Sequence, residues 1–456
     1  MVPCDILLIS PPSIAKLRRP PRQPQVSKDG YVPPLGLCYL AAVLERGGYH
    51  VDLIDMQAEN LRGTDLAHWV RERRPRVVGI GTTVVTYKNG LRIAELVKEV
   101  SPTTPIIVGG PQATFLIEET LACPAVNILV RFEGEETIVE LMHHFDGQGP
   151  ALDQIRGIAF RDGGRIHQTE PRPLIADLDA LPFPARHLLK GSLYAKPGVL
   201  ITARGCPSHC IFCAANTLYP HVHYRARAPQ AVVDEIEDLL SYGVGEFFIA
   251  DDAFTLQPKR AIEICDLIMA RGVKARWTCE ARVTSMTPEL VRKMHEAGCY
   301  LVQYGVETGN PDIMKLIRKG IRLTQVEEVV NFSQAAGLDV ICSFIIGFPW
   351  DTQQTVRQTI DFARNLCRMG AREPNLGGPN RGLVNAMFAY LTPLPGTHLY
   401  DQADQLGIRL LSRDWDRYTM ASPIIETRHL SADDMRDLYI EAARSAIAQP
   451  VVAEVT

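Results

Sequence analysis

The segment VLITARGCPSHCIFCAAN, from Val199 to Asn216, decides how the rest of the chain is interpreted. An apolar run leads directly into three cysteines, Cys206, Cys210 and Cys213, spaced Cys-x3-Cys-x2-Cys. Three thiolates in one tight loop suit an iron–sulfur cluster or a zinc ion, because soft sulfur ligands select such metals. A four-iron cluster has four ligand positions, so three cysteines leave one iron open to a small molecule.

Two alternatives to an open cluster remain at this point. A structural zinc site needs a fourth protein ligand, which His209, His221 or His223 could supply. An electron-transfer protein would need a cluster with four protein ligands. Neither alternative requires the long series of strand–helix units that follows the cysteines.

Apolar strand-like runs alternate with amphipathic helical patterns beyond the cysteine loop. With the strand at 198–202, this predicts six parallel strands in a partial (β/α)6 barrel spanning 193–400. The other predicted strands lie at 247–252, 276–282, 300–308, 339–349 and 384–397, and the helices at 231–242, 258–271, 287–297, 325–336 and 352–369. Barrels of this kind carry their chemistry at the carboxyl ends of the strands.

The same α/β alternation precedes the cysteine loop and predicts a doubly wound, Rossmann-like domain over 1–148. Its strands are expected at 6–9, 51–54, 77–80 and 106–108, and its helices at 35–46, 66–73 and 90–100. Ligands of such sheets lie beyond the carboxyl ends of the strands. Small residues at these ends would let a large ligand approach the backbone; they are Pro11, Pro12, Thr82, Thr83, Gly109 and Gly110.

Two further segments complete the predicted organisation. Residues 149–192 are interpreted as a hairpin and linker, because Asp162-Gly163-Gly164 joins two alternating runs and a proline-rich stretch follows. Residues 401–456 are interpreted as a short helical extension, with helical patterns at 399–406 and 431–447. This extension is too small for a peptide-binding domain, which favours a small-molecule substrate.

Composition excludes several classes of protein. The 456 residues are 46% hydrophobic and 22% charged, with a formal net charge of -4, which excludes a disordered chain. No basic field indicates nucleic acid or a membrane surface as a partner, and no apolar run is long enough for a membrane span. Without a signal-peptide pattern, the chain is expected in the cytoplasm, where its 11 cysteines point to metal or catalytic use.

The cysteine loop, with Phe212 just before the third cysteine and strand–helix repeats behind it, resembles the signature of radical S-adenosylmethionine (radical SAM) enzymes. The resemblance implies a [4Fe-4S] cluster on the three cysteines and S-adenosylmethionine on the open iron. It further implies that Phe212, Arg282, Glu307 and Gly347 contribute to the S-adenosylmethionine site.

The first domain resembles the cobalamin-binding domain that precedes many radical SAM enzymes, over roughly residues 1–145. The resembling segments are PPLGLCYLAAVLERGGYHVDLID (33–55), GIGTTV (79–84), VGGPQAT (108–114) and VRFEGEET (130–137). It implies a cobalamin-like pocket on the six small residues above and Glu133. Two departures stand out: the chain has no Asp-x-His-x-x-Gly signature, and Phe132 replaces the first glycine of the usual Arg-Gly-Glu-Gly-Glu.

The resemblance implies reductive cleavage of S-adenosylmethionine to a 5′-deoxyadenosyl radical, which abstracts hydrogen from a small polar natural product. The leading expectation is dehydration of a 1,2-diol, as in the radical dehydratases of aminoglycoside antibiotic biosynthesis; the alternative is cobalamin-dependent C-methylation. In the dehydratase reading, Asp251, Asp252 and Glu280 at the strand ends bind ammonium groups or manage the leaving hydroxyl. The expected partners are a flavodoxin- or ferredoxin-type electron donor and a separate NAD(P)H reductase.

Overall fold

The computed structural model describes residues 4–13, 32–194, 198–220, 224–371 and 382–446. Their contacts divide the chain into two compact units. The first unit runs up to Val199 and also includes Asp414–Tyr418, and the second comprises the remaining residues from Leu200 onward. Among the described residues, no helix is both long enough and apolar enough to cross a membrane.

The first unit is built on a seven-stranded sheet in the order β2-β1-β3-β4-β5-β6-β7. Its strands are β1 Ile6–Ser10, β2 Val51–Asp55, β3 Val77–Gly81, β4 Ile106–Gly109, β5 Ile128–Val130, β6 Ile158–Asp162 and β7 Arg165–Gln168. Its helices are α1 Leu35–Arg46, α2 Gly63–Arg73, α3 Tyr87–Val100, α4 Pro111–Phe115, α5 Ile117–Ala122 and α6 Glu135–Phe145. The first five strands pair in parallel, as the alternating pattern predicts.

Side-chain alternation in β1 explains why helices cover both faces of this sheet. Ile6 and Leu8 lie in one buried cluster, with residues of α1 and α6. Leu7 and Ile9 lie in a second cluster on the opposite face, with residues of α2 and α3. A strand that is apolar at every position therefore requires a layer of helices on each side.

The structure corrects one part of the predicted organisation, the placement of the hairpin in the connection between domains. The hairpin forms, but β6 pairs antiparallel with β5 and β7 with β6, so both strands extend the sheet of the first unit. The physical reason is the apolar half of the hairpin. Ile158, Ala159 and Phe160 are buried and continue the core, whereas β7 is exposed along its length.

The second unit contains a six-stranded sheet in the order β15-β14-β13-β12-β11-β8. Its strands are β8 Gly198–Leu200, β11 Glu246–Ile249, β12 Arg276–Ala281, β13 Cys299–Glu307, β14 Asp339–Ile346 and β15 Val384–Tyr390; the pair β9 Ala203–Arg204 and β10 Arg225–Ala226 lies beside it. Its helices are α7 Ala215–Leu218, α8 Pro229–Ser241, α9 Pro258–Ala270, α10 Pro288–Glu296, α11 Pro311–Leu316, α12 Leu323–Ala335 and α13 Gln353–Ala371. Neighbouring strands from β11 to β15 pair in parallel, and β8 lies next to β11 as the sixth strand, so the predicted six-stranded arrangement is confirmed.

The two faces of this sheet differ in burial. In β14, residues alternate between buried positions such as Val340 and Phe344 and half-buried positions such as Ile341 and Ser343. The buried set lies on one face of the strand and the half-buried set on the opposite face. That second face is the inner, concave face of the partial barrel, and the chemistry of such barrels lies at the carboxyl ends of their strands.

The C-terminal part is less helical than predicted. The helix expected at 399–406 is reduced to α14, His398–Asp401, followed by the short strands β16 Arg409–Leu410 and β17 Ile425–Glu426, and only then by α15, Ala432–Ala446. Between the two strands, Trp415 is buried in the first unit and its indole nitrogen donates to Glu119 over 2.8 Å. Lys88 of α3 pairs with Asp414 and Asp416 beside it.

Candidate functional site

The cysteine loop begins where β8 ends, and a buried carboxylate fixes its first residues. Asp251 lies just after β11 and is 2% exposed. One of its oxygens accepts from the backbone nitrogens of Thr202 and Ala203 at 2.6 and 3.0 Å, and the other accepts from the Thr202 hydroxyl. Burial raises the pKa of Asp251 to about 6, although these hydrogen bonds oppose the shift.

This placement revises the sequence prediction for Asp251. Both of its carboxylate oxygens are engaged by the strand that leads into the loop, so its contacts are those of a residue that positions the loop. The neighbouring Asp252 is different, because it is exposed as a residue and one oxygen accepts from the Gly205 nitrogen at 2.9 Å. Although the residue is exposed, desolvation by neighbouring atoms raises the pKa of the Asp252 carboxyl.

The loop itself is held at its centre by main-chain contacts. The Ile211 nitrogen donates to the Ile317 carbonyl at 3.2 Å, and the Ile211 carbonyl accepts from the Leu399 nitrogen at 3.1 Å. Two segments distant in sequence therefore fix the residue between the second and third cysteines.

The three cysteines are free thiols in different surroundings. Cys206 and Cys210 are 8% exposed, and Cys206 packs against Ala215 and Ala253. Cys213 is exposed as a residue, but desolvation by neighbouring atoms raises the pKa of its thiol to about 11. A guanidinium nitrogen of Arg282 lies 4.0 Å from the Cys210 sulfur. A partly buried soft-donor loop beside a cation suits an anionic iron–sulfur centre.

A single-ion site makes a different demand on these residues. Within the described part of the chain, no three His, Cys, Asp or Glu side chains are grouped to hold one metal ion. A four-iron cluster takes its cysteines on separate iron atoms, so their sulfurs need not meet at one point. Of the histidines that could supply a fourth zinc ligand, His209 is exposed in the loop, and His221 and His223 lie outside the described residues.

The residues predicted for S-adenosylmethionine fall into one connected group around the loop. Glu307, at the end of β13, is 7% exposed and accepts from the Lys319 ammonium at 2.7 Å. The Lys319 carbonyl accepts from a guanidinium nitrogen of Arg282 at 2.8 Å. The Lys319 ammonium also lies 5.8 Å from the centre of the Phe212 ring.

Gly347 joins this group through the residue that follows it. The ring of Phe348 packs against that of Phe212, with 5.6 Å between their centres. Asp351, which is 2% exposed, accepts from the nitrogens of Gly347 and Phe348 at 3.2 and 3.0 Å, and burial raises its pKa to about 6. The turn after β14 is thereby fixed beside the cysteine loop.

Three carboxylates approach one another at the ends of neighbouring strands. Glu280 on β12 is exposed as a residue, yet desolvation raises the pKa of its carboxyl; the charges of Glu307 and Asp252 add to this, and Lys319 opposes it. Repulsion among like charges favours a cation or a hydrogen-bond donor between them. Of the three carboxylates expected to act on the substrate, Asp252 and Glu280 lie in this group, and Asp251 does not.

In the first unit, the strand ends predicted to hold a ligand form a ledge of closely packed backbone. The nitrogen and hydroxyl of Thr82 both donate to the Gly109 carbonyl, at 2.8 and 3.0 Å. Gly110 has a φ of +101°, and a Cβ there would lie 2.3 Å from the Thr82 carbonyl oxygen. The Pro12 carbonyl accepts from the buried amide of Asn89 at 2.7 Å.

The other predicted residues of this pocket have individual partners. Pro11 is buried beside this ledge, and the Thr83 nitrogen donates to the Thr86 hydroxyl at 2.9 Å. The Glu133 carboxylate accepts from the Ile175 nitrogen at 2.8 Å and so binds the segment that follows β7.

Phe132, which replaces the family's glycine, keeps a glycine-like backbone with a φ of +60°. Its nitrogen donates to the Thr114 hydroxyl, and the Arg131 guanidinium lies 5.7 Å from its ring centre. A bulky non-glycine residue thus adopts a left-handed backbone conformation, which is uncommon and strained.

Sequence reasoning missed two residues of the second unit's site, Lys319 and Asp351. Neither belongs to a recognisable spacing, and both act through contacts with residues distant in the sequence. The sequence signal that could have indicated them was their position: Lys319 follows the predicted strand that ends with Glu307, and Asp351 follows the one that contains Gly347.

The cysteine loop lies at the carboxyl end of the first strand of a six-stranded sheet, and a doubly wound domain precedes it in the sequence. This combination defines a radical SAM protein with a cobalamin-type domain. A match to the radical SAM superfamily covers residues 200–363. A match to the B12 binding domain covers residues 26–142. The chain belongs to the radical SAM superfamily and carries a B12 binding domain, and its cofactors include a [4Fe-4S] cluster and S-adenosylmethionine.

Relatives share both parts of the chain. An uncharacterized methyltransferase of Pyrococcus horikoshii is 33% identical over 98% of this chain and 93% of its own length. An anaerobic magnesium-protoporphyrin IX monomethyl ester cyclase of Cereibacter sphaeroides is 30% identical over 90% of this chain and 66% of its own. Cytidylyl-2-hydroxyethylphosphonate methyltransferase of Streptomyces wedmorensis is 29% identical over 82% of this chain and 78% of its own.

Solved structures share the fold. The cobalamin-dependent radical enzyme OxsB matches 96% of this chain and 66% of its own, with a TM-score of 0.75 and 18% identity. The radical S-adenosylmethionine methyltransferase TsrM of Kitasatospora setae matches 98% of this chain and 89% of its own, with a TM-score of 0.73 and 17% identity.

Proposed function

We propose that this protein is a cobalamin-dependent radical SAM methyltransferase that methylates a carbon of a largely uncharged substrate. One observation carries the choice of reaction: a relative named a methyltransferase matches 98% of this chain, through both units. The methyltransferase of Streptomyces wedmorensis adds support. Methyl transfer, which was the alternative in the sequence analysis, therefore replaces dehydration as the leading function.

In this proposal the groups are divided between the units. When bound, cobalamin would supply the methyl group for a substrate carbon activated by the S-adenosylmethionine-derived radical. The closely packed backbone of Thr82, Gly109 and Gly110 would let the cobalamin approach the first unit, and the three cysteines would hold the cluster. Arg282, Glu307 and Phe212 hold S-adenosylmethionine beside it.

The concave face of the second sheet supports the proposed class of substrate. Strand register places Glu280, Gln303, Ile341 and Asn385 in one tier across β12 to β15. The next tier contains Gly305, Ser343 and Met387, followed by Ile345 and Ala389. Of these nine residues only Glu280 carries a charge; the other charged side chains near this face, Asp252, Glu307 and Lys319, lie at the carboxyl ends of the strands beside Glu280 and Gly305.

The carboxylates near this face are confined to the strand ends, where Glu307 is already paired with Lys319, so Glu280 and Asp252 are the two left to bind a cationic group. Binding several ammonium groups calls for several carboxylates or carbonyls, because a desolvated cation is costly without partners. Met387 is 48% exposed, and Ile341 and Ile345 are half-buried on the same face. A substrate with an apolar body and one donor group for Glu280 fits this surface better than an aminoglycoside.

The test uses the reconstituted full chain, a flavodoxin-type electron donor and S-adenosylmethionine with a trideuterated methyl group. A cell extract is split into an organic-soluble fraction and a cation-exchange fraction, and each is incubated with the enzyme and examined by mass spectrometry. We expect a trideuteromethyl-labelled product, with 5′-deoxyadenosine and S-adenosylhomocysteine, in the organic-soluble fraction. A label only in the polycationic fraction would overturn the substrate class, and loss of water without label would overturn methyl transfer.

A matched pair of variants tests whether the concave face binds the substrate. Met387→Lys adds a cation to that face, and Ile440→Lys adds one to a residue of α15 that is equally exposed, at 47%. We expect the first variant to lose labelled product while it still cleaves S-adenosylmethionine without substrate. The second should behave as the wild type. Cobalamin content, read from the visible spectrum after growth with excess cobalamin, tests the first unit separately.

A further inference from the structure

The turn that follows α11 contacts the cysteine loop and the S-adenosylmethionine residues in three separate ways. The Ile317 carbonyl accepts from the Ile211 nitrogen at 3.2 Å. The Lys319 carbonyl accepts from Arg282 at 2.8 Å, and the Lys319 ammonium donates to Glu307 at 2.7 Å. One short turn therefore joins the loop between the cysteines to the ends of β12 and β13.

The ion pair at the centre of this turn is withdrawn from water. The side chains of Lys319 and Glu307 are each 10% exposed. Lysine is rarely buried unless it is paired, since its charge must be compensated where water is excluded. Removing the ammonium would leave the Glu307 carboxylate beside the charges of Glu280 and Asp252, which act on one another at this end of the sheet.

The absence of a side chain at Gly305 leaves room for the Lys319–Glu307 ion pair. A Cβ added at Gly305 would lie 2.5 Å from an oxygen of Glu307 and 2.8 Å from the Lys319 nitrogen. Gly305 has an ordinary backbone conformation, so its lack of a side chain serves close approach and not a left-handed turn. The presence of a glycine at 305 and of a lysine at 319 is thus explained by one requirement, which is to hold the Glu307 carboxylate in a fixed position.

We propose that Lys319 is a positioning residue for S-adenosylmethionine, which orients Glu307 through its side chain and Arg282 through its main chain. Arg282 in turn lies 4.0 Å from the Cys210 sulfur, so the same turn sets a cation beside the cluster loop. This inference rests on membership of the radical SAM superfamily and is independent of the proposed methyl transfer.

The experiment measures S-adenosylmethionine binding to the reconstituted full chain by anaerobic calorimetry. It also records the electron paramagnetic resonance spectrum of the reduced cluster with and without S-adenosylmethionine. Lys319→Met keeps the length of the side chain and removes its charge. We expect its Kd for S-adenosylmethionine to rise by about 10- to 100-fold, by analogy with the loss on mutating residues that orient the ligands of a metal site. Its iron content should stay at the wild-type level, and a higher S-adenosylmethionine concentration should be needed to change its spectrum.

Lys315→Met is the matched control, because Lys315 is exposed on α11, the helix that precedes this turn. This variant removes the same charge only four residues before Lys319, and it should leave the Kd for S-adenosylmethionine unchanged. A Lys319→Met variant that binds S-adenosylmethionine like this control would overturn the proposal. A Lys319→Met variant that loses cluster iron would overturn it as well, because the role would then be to hold the cysteine loop.

Two further variants keep the proposal testable if Lys319→Met does not fold. Gly305→Ala retains both charges but displaces the pair, and we expect it to weaken S-adenosylmethionine binding with iron content unchanged. Lys319→Arg should bind more tightly than Lys319→Met. In the double variant with Glu307→Gln, the loss from Lys319→Met should not add to that from Glu307→Gln, because the two residues act as one unit. Full additivity would contradict the proposed route through Glu307.

Discussion

Replacing Asp251 by asparagine gives a sharp test of how the cysteine loop is anchored. Asparagine can still accept from the backbone nitrogens of Thr202 and Ala203 through its carbonyl, and its amide can donate to the Thr202 hydroxyl. The variant therefore keeps the shape and the hydrogen bonds of the site. What it removes is the negative charge at a residue that is 2% exposed.

The magnitude follows from the pKa of Asp251, which burial raises from 3.8 to about 6. Each pKa unit corresponds to about 1.36 kcal/mol, so holding the folded protein's carboxyl ionised costs about 3 kcal/mol. Because the folded state binds this proton more tightly than the unfolded state, the wild type loses stability as the pH rises from 3.8 through 6. Asparagine does not titrate, so the variant should gain about 3 kcal/mol relative to the wild type between about pH 4 and pH 7.

The assay is urea unfolding of the apoprotein at a series of pH values, with the free energy of unfolding of variant and wild type compared at each. Subtraction cancels the other titrating groups. Asp351→Asn should show the same rise, because burial also raises the pKa of Asp351 to about 6. Asp437→Asn, on an exposed residue of α15, is the control. A difference for Asp251→Asn that stays constant with pH, or falls as pH rises, would refute the reasoning.

Three other predictions concern separate parts of the chain. Changing the three loop cysteines to alanine should abolish cluster absorption and 5′-deoxyadenosine formation, and retained product would contradict the assignment of the cluster. Gly110→Ala should lower the thermal stability and the cobalamin content of the protein, because its Cβ would collide with the Thr82 carbonyl. Gly48→Ala is the control, because Gly48 has a similar positive φ but open space around it. It should cost only about 1 kcal/mol of stability and leave the cobalamin content unchanged. Trp415→Ala should cost about 3–5 kcal/mol in unfolding measurements, as for other buried tryptophans. Lys88→Ala, which removes only a partly exposed ion pair beside it, should cost less than about 1 kcal/mol.

The sequence by itself determined the fold of both units and the position of the cysteine loop. Strand runs such as Ile6–Ile9 are apolar at every position and short, and helical patterns lie between them, so a doubly covered parallel sheet is the arrangement that buries them. The Cys-x3-Cys-x2-Cys spacing lies within eight residues, where local sequence alone fixes which side chains share a loop. These are properties of neighbouring residues, and they can be read without knowledge of the tertiary structure.

Only the tertiary structure decided which charged residues act together. Asp251 and Asp252 are adjacent in sequence, but strand alternation and packing bury Asp251 against the start of the cysteine loop and leave Asp252 exposed. Lys319 reaches Glu307 and Arg282 through a turn 12 to 37 residues away in sequence, a distance over which no periodic pattern carries information. The hairpin at 158–168 likewise joined the first sheet because an apolar edge was available there. Such pairings depend on where distant segments meet, and that is set by the packing of the whole unit.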